Sequence, residues 1–199
     1  MKKPAITRVP VNDTLANLWS GRAYAANRPV SREQSITLLD AARGAPSCYG
    51  DQPWRFIVWD KNDDLAAWQQ GFDCLASGNQ GWVNNAPVLL LITAGSLFAH
   101  NGSQNRWGQY DTGAAAENLC LQASSMGLMA HQMGGFDASK ASETFSIPAE
   151  YTPMAMLSIG YQANIASLNG EVLEREMAPR KRRELGELFF KGSWGQPVI

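Results

Sequence analysis

Residues 88–93 read Val-Leu-Leu-Leu-Ile-Thr, an unbroken apolar run set just after Pro87. A strand with one wet face alternates polar and apolar side chains, so a run with no such alternation reads as a strand covered on both faces. Upstream, Trp54–Trp59 (WRFIVW) is short, aromatic and β-branched, and reads as a second strand. Downstream, Tyr110–Met126 carries Ala114, Ala115, Leu119, Leu121, Ala123 and Met126, apolar or small residues on nearly every side, which predicts a central helix covered almost all round. Leu128–Met133 and Met154–Tyr161 are further strand candidates. Ser31-Arg32-Glu33-Gln34 is a capping-box pattern that starts a helix running from Ser31 to Arg43 and closed by Gly44 and Pro46. Asp137 can cap another helix through Phe145, ended by Pro148. Helices and strands alternate, which predicts a layered α/β arrangement in one domain over residues 1–199. The stretch 163–199 differs: it is charged, holds Arg180-Lys181-Arg182-Arg183 and ends in Phe189, Phe190 and Trp194, and it reads as an arm.

Composition removes several function classes. Of the 199 residues 45% are hydrophobic and 18% charged, enough apolar content for a large core. Lys and Arg number 17 against 18 Asp and Glu, a net charge of -1, so no general attraction to nucleic acid or to an anionic membrane is expected. Cys48, Cys74 and Cys120 are odd in number and widely spaced, which argues against a disulfide framework and fits a cytoplasmic setting. The two histidines, His100 and His131, are too far apart for a H-E-x-x-H pair, so no metal is expected. The first residues carry two lysines but no apolar stretch, and Ala86–Ala94 is about half of the ~20 residues a spanning helix needs, so neither secretion nor a membrane is expected.

Common catalytic signatures are missing. The sequence has no G-x-x-x-x-G-K-[ST], no G-x-G-x-x-G after a strand and no G-x-S-x-G. Cys48 or Cys120 with His131 could form a nucleophile and base, although a buried thiol and a core imidazole explain them more simply. Residues 45–54, Ala-Pro-Ser-Cys-Tyr-Gly-Asp-Gln-Pro-Trp, lie between a helix and a strand. Their hydroxyl, amide and aromatic groups could grip a flat polar ligand, and an ordinary connecting loop is the alternative.

Taken from Ala42 to Phe56, this stretch resembles the A-P-S-S-x-N-x-Q-P-W-x-F signature of the FMN-dependent nitroreductase family. Ser20-Gly21-Arg22 resembles the family's R-x-S-x-[RK] element, and Gly78-Asn79-Gln80-Gly81-Trp82 followed by Ala86-Pro87-Val88 resembles its next one. Asp111-Thr112-Gly113, Gly127-Leu128 and His131–Asp137 resemble a short-chain branch, and Pro179-Arg180-Lys181-Arg182 sits where the family has a basic pair. The resemblance spans residues 14–195 in order.

The resemblance implies an α+β three-layer sandwich with a mainly antiparallel central sheet and a C-terminal arm exchanged in a homodimer. It implies an NAD(P)H oxidoreductase that passes a hydride through flavin N5, in a ping-pong cycle, to nitroaromatic, quinone or similar electrophilic acceptors. A flavin-dependent enone reductase or dehalogenase-like enzyme, or a flavin-binding protein without turnover, stays open beside it. Ser20, Arg180 and Arg182 would hold the FMN phosphate, an Arg fork and a hydroxyl suiting a dianion. Arg22 would lie at the N1/O2 edge of the ring, where a cation stabilises the reduced anion. Asn79 would hydrogen-bond the polar edge, and an amide at Gly134-Gly135 would reach N5. Pro46, Ser47, Cys48 and Gly50 would reach the flavin from the second subunit, and Asp111 would face the ring or the substrate unless it only caps the central helix. No side-chain acid or base need be decisive, because the cofactor carries the redox chemistry. Leu18, Cys48 and Gly50 depart from the family's Arg, Ser and Asn, and Trp82 stands where some members have a lysine.

Overall fold

The structure is a computed structural model that describes residues 3–199. Its helices are α1 (Asp13–Asn17), α2 (Arg32–Arg43), α3 (Leu65–Phe72), α4 (Ser77–Val83), α5 (Gly108–Ser125), α6 (Ala138–Thr144), α7 (Gly170–Met177) and α8 (Leu185–Leu188). Its strands are β1 (Trp54–Asp60), β2 (Val88–Gly95), β3 (Met129–Met133) and β4 (Tyr151–Gly160). They form one sheet in the order β1-β2-β4-β3, with every neighbouring pair antiparallel.

The apolar run at 88–93 becomes a central strand with every residue of β2 buried. Its side chains alternate between two cores. Val88, Leu90 and Ile92 pack with Leu38 and Ala42 of α2 and Ala115, Leu119 and Ala123 of α5. Leu89 and Leu91 face Trp68 of α3, Val83 of α4 and Ala141 of α6. The sheet is therefore the middle of three layers, as the resemblance implied. Between Ile92 and Thr93 the pairing with β4 shifts, and Pro153 stands opposite Thr93. A proline cannot donate to the ladder, which suits it to such a bulge.

The helix ends follow local chemistry. Ser31 and Gln34 form the reciprocal capping box of α2, and Asp137 caps α6 through the Lys140 amide. One expectation needs correction. The central helix is covered on one side only: Asp111, Thr112, Ala115, Ala116, Leu119, Cys120 and Ala123 are buried, while Gly113 and Glu117 are exposed. Its small residues are distributed all round, but one chain supplies neighbours for a single face. The segment 163–199 contains α7 and α8 and lies along the N-terminal segment. Ala163 N–H donates to Ala23 O, Lys3 Nζ donates to Glu176 O, and Arg8 pairs with Glu184. Phe189 and Trp194 at its end stay 55% and 89% exposed, so this chain leaves them uncovered. Among the described residues no helix is long and apolar enough to cross a membrane.

Candidate functional site

Beside the edge strand β3, three segments bring charged and aromatic groups together. Gly21 O accepts a hydrogen bond from His131 Nδ1 at 2.9 Å, which ties the Ser20–Arg22 segment to the strand. Trp82 of α4 lies under this contact, its ring 4.6 Å from that of His131 and 6.3 Å from that of Tyr24. The Arg22 guanidinium lies 5.9 Å from the same indole. The Arg22 side chain is exposed and forms no ion pair among the described residues, which leaves its charge for a ligand. Burial, helped by the Arg22 charge, holds the His131 imidazole below its ordinary pKa, against the opposing pull of the Gly21 carbonyl. A neutral imidazole with its proton on Nδ1 is the outcome.

At the end of β3, Asn79 Nδ2 donates to Gly135 O at 2.9 Å, leaving Oδ1 turned to other donors. A Cβ on Gly135 would lie 2.8 Å from that Asn79 nitrogen, so a larger residue there would push the Asn79 amide out of place. A Cβ on Gly134 would meet nothing within 4 Å, so the backbone there is open to an approaching planar group. Arg22, Asn79, Gly134 and Gly135 are thus gathered along one edge of the sheet. A cavity of about 190 Å³ opens at Arg22, lined also by Trp82, Asn85 and the start of the arm at Ser167 and Asn169.

Pro46, Ser47, Cys48 and Gly50 occupy the opposite edge, in the turn that leads into β1. Asp111 Oδ2 accepts the Cys48 N–H at 2.9 Å, and Ser47 Oγ accepts the Gln52 N–H at 3.0 Å. Tyr49, Gly50 and Gln52 all have positive φ, at 56°, 68° and 50°. The departures from the family pattern become intelligible here. Gly50 replaces Asn at a left-handed position that both residues tolerate. Cys48 is used through its amide, which any residue but proline supplies. Leu18 packs against the core beside α5, and its site offers no charge. Asp111 is not the cap of α5, whose N-cap is Trp107; it sits in the first turn with only 4% exposure and faces the loop.

Three strand spacings of ~4.8 Å separate β1 from β3, so the two edge strands beside which these groups sit lie about 14 Å apart. Among the described residues no hydrogen bond, ion pair or ring contact joins them. The basic residues of the arm belong to the β3 side. Arg180 Nη1 donates to Lys3 O and Ala16 O, both at 3.0 Å, beside the segment leading to Ser20. Burial and the neighbouring Arg182 charge push the Arg180 pKa down. Arg182 is exposed, with Nη1 on Lys181 O. A cavity of about 350 Å³ nearby is lined by Asp13, Leu18, Trp19, Met129 and Gln162 with no Lys or Arg, and does not suit a phosphate.

Sequence reasoning missed Glu176. It lies in α7 at 1% exposure, and its Oε1 accepts the Arg22 N–H at 2.6 Å. Its neighbours Glu171 and Glu174 are exposed and look the same in sequence. The one available signal was position: Glu176 falls three and four residues after Leu173 and Val172, on the apolar stripe of α7. His131 and Trp82 carried no signal for their mutual contact, which depends on how α4 meets β3. Among the described residues no three His, Cys, Asp or Glu side chains converge on a metal site.

A family model described as the nitroreductase family matches residues 16–76 and 66–161. An uncharacterized 15.4 kDa protein of Mycolicibacterium smegmatis is 33% identical over 153 residues, which cover 72% of this chain and 99% of that protein. The major NAD(P)H-flavin oxidoreductase of Aliivibrio fischeri is 32% identical over 97 residues, 49% of this chain and 42% of that one. A solved structure described as an oxidoreductase containing FMN superimposes with a TM-score of 0.87 at 32% identity, covering 96% of each chain.

Proposed function

Because the chain belongs to the nitroreductase family, we propose that it is an NAD(P)H-dependent flavin oxidoreductase that holds FMN between two copies of itself. It reduces nitroaromatic, quinone or similar electrophilic acceptors in a ping-pong cycle. The observation that carries the reading is the separation of the candidate site into two groups. Arg22, Asn79 and Gly134-Gly135 lie along β3, Pro46–Gly50 lies before β1, and in this reading each FMN touches the first group of one chain and the second group of another. The exposed Tyr110 of α5, with the exposed Phe189 and Trp194 of the arm, supplies apolar surface for that association. The solved relative described as containing FMN and the NAD(P)H-flavin oxidoreductase of Aliivibrio fischeri support the choice of cofactor and reductant.

FMN supplies, when bound, the two-electron carrier between the nicotinamide and the acceptor. The residues present fit such a group. The Arg22 guanidinium, without an ion pair among the described residues, favours an anionic ring edge, and the neutral His131 adds no second charge beside it. Asn79 Oδ1 can accept from a ring N–H, since Nδ2 is held by Gly135 O. The open backbone at Gly134 admits a planar ring to hydrogen-bonding distance of an amide. Ser20 and Arg182, with the remaining donors of Arg180, make the phosphate end. Nicotinamide and acceptor would use the bound ring in turn, an order that asks no acid or base of a side chain.

The test is spectroscopic. The purified protein should be yellow, should release FMN and not FAD in acid, and should bleach anaerobically with NADH or NADPH. Menadione or a nitrofuran should restore the colour, and steady-state plots should be parallel. A colourless protein that takes up no FMN on titration overturns the reading.

A further inference from the structure

Among the described residues only two acidic side chains are buried, Asp111 at 4% and Glu176 at 1% exposure. Each accepts a main-chain N–H from one half of the candidate site, Asp111 from Cys48 and Glu176 from Arg22. We propose that Glu176 is a positioning residue of the flavin site: by holding the Arg22 main chain it sets where the guanidinium is presented beside Trp82. This inference rests on the FMN reading above.

The segment is gripped from both sides. His131 donates to Gly21 O, and Glu176 Oε1 accepts from Arg22 N. Between these contacts a Cβ on Gly21 would run into Met129 Sδ and lie 3.2 Å from Glu176 Oε2, so the chain passes through a narrow slot that any side chain would force open. Glu176 is itself fixed, with Lys3 Nζ donating to its carbonyl at 2.7 Å and Gln162 Nε2 approaching Oε2 at 3.4 Å. The carboxylate takes the main-chain N–H and leaves the Arg22 guanidinium unpaired. An apolar side chain of the same length would fill the space without the desolvation cost of a carboxylate, but would leave the Arg22 N–H unsatisfied. The arm is thereby coupled to the ring edge through one hydrogen bond.

The experiment measures the FMN dissociation constant by titrating the full-length apoprotein, following flavin fluorescence. The proteins are the parent, Glu176→Met, Glu176→Gln, Arg22→Ala and Arg22→Ala/Glu176→Met, each with the parent's far-ultraviolet circular dichroism. Glu176→Met should weaken binding roughly tenfold or more, the effect of losing a charge-assisted hydrogen bond. Glu176→Gln keeps an acceptor oxygen and should stay within about threefold of the parent. With Arg22→Ala there is no guanidinium to place, so adding Glu176→Met should change binding by less than about twofold. If Glu176→Met does not fold, Glu176→Asp, one methylene shorter, takes its place in the same cycle. Parental affinity in Glu176→Met, a Gln variant as impaired as the Met variant, or a full additional loss in the Arg22→Ala background overturns the positioning role. A parent that binds no FMN overturns the flavin reading itself, whereas a parent that binds while Glu176→Met binds equally well removes only this inference.

Discussion

Asp111 Oδ2 accepts the Cys48 N–H at 2.9 Å, joining the first turn of α5 to a loop 63 positions earlier in the chain. That loop carries Tyr49 and Gln52 at φ 56° and 50°, a region in which an L-residue costs ~1–2 kcal/mol. Its shape persists because contacts from elsewhere hold it: Asp111 on Cys48, and Asp51 Oδ1 accepting the Ala99 N–H at 2.8 Å.

Removing the Asp111 contact should therefore release the loop. Asp111→Ala should lower stability to urea by about 1–2 kcal/mol, because a part-buried N–H loses its side-chain acceptor. Limited proteolysis should become faster within 47–52. A stability change below about 0.5 kcal/mol with unchanged proteolysis contradicts the assignment.

The neighbouring glycines separate a packing role from a ligand role. Gly135→Ala drives a Cβ to 2.8 Å from Asn79 Nδ2 and should lower the melting temperature of the apoprotein. Gly134→Ala meets nothing within 4 Å, so it should leave that temperature unchanged while weakening FMN binding. Equal effects of the two substitutions on both readouts contradict an open approach at Gly134.

The main elements were legible because their signals are local. Ser31 with Gln34, Asp137, and the uninterrupted run at 88–93 each carry their explanation within a few residues, and each gave the element expected. Leu65–Phe72 and the helices of the arm left weaker marks, being short and set among polar residues. For the candidate site, the glycines and the cation of Ser20-Gly21-Arg22 and Gly134-Gly135 stood out through motif resemblance. What holds them did not, since the burial of Glu176 and the tilt of His131 on Trp82 arise from tertiary packing across 154 and 49 positions. The one-sided cover of α5 was also hidden, because a helix of small residues looks the same whether its second face meets its own chain or another.

His131 gives a pH signature. Its folded-state pKa lies below the unfolded value, chiefly through burial, so on acidification the unfolded chain binds a proton before the folded one. Stability contributed at neutral pH is lost as pH falls through the ordinary imidazole range of about 6.5. The wild type should lose more stability between about pH 7.5 and about pH 5.5 than His131→Gln, measured by urea denaturation. Identical slopes contradict a depressed imidazole.

Arg180 and Arg182 should differ in kind. Arg180 binds two main-chain carbonyls, of Lys3 and Ala16, so Arg180→Ala should cost the apoprotein about 1–3 kcal/mol. Arg182 is exposed, so Arg182→Ala should leave apoprotein stability within about 0.5 kcal/mol and act on FMN affinity instead. Denaturation and FMN titration on the same samples read both, and a destabilised Arg182→Ala with intact affinity reverses the assignment.

The central claim is that neither chain alone holds a complete site, and subunit exchange tests it most directly. Arg22→Glu disables the group along β3, and Ser47→Trp blocks the group before β1. Each variant alone should be inactive. Mixed under conditions that exchange subunits, every heterodimer would hold one site with both defects and one with neither. NAD(P)H oxidation should then reappear and approach half the wild-type value per heterodimer. If both variants fold and exchange yet no activity returns, or if the native protein sediments as a monomer, the two groups do not share a ligand across an interface.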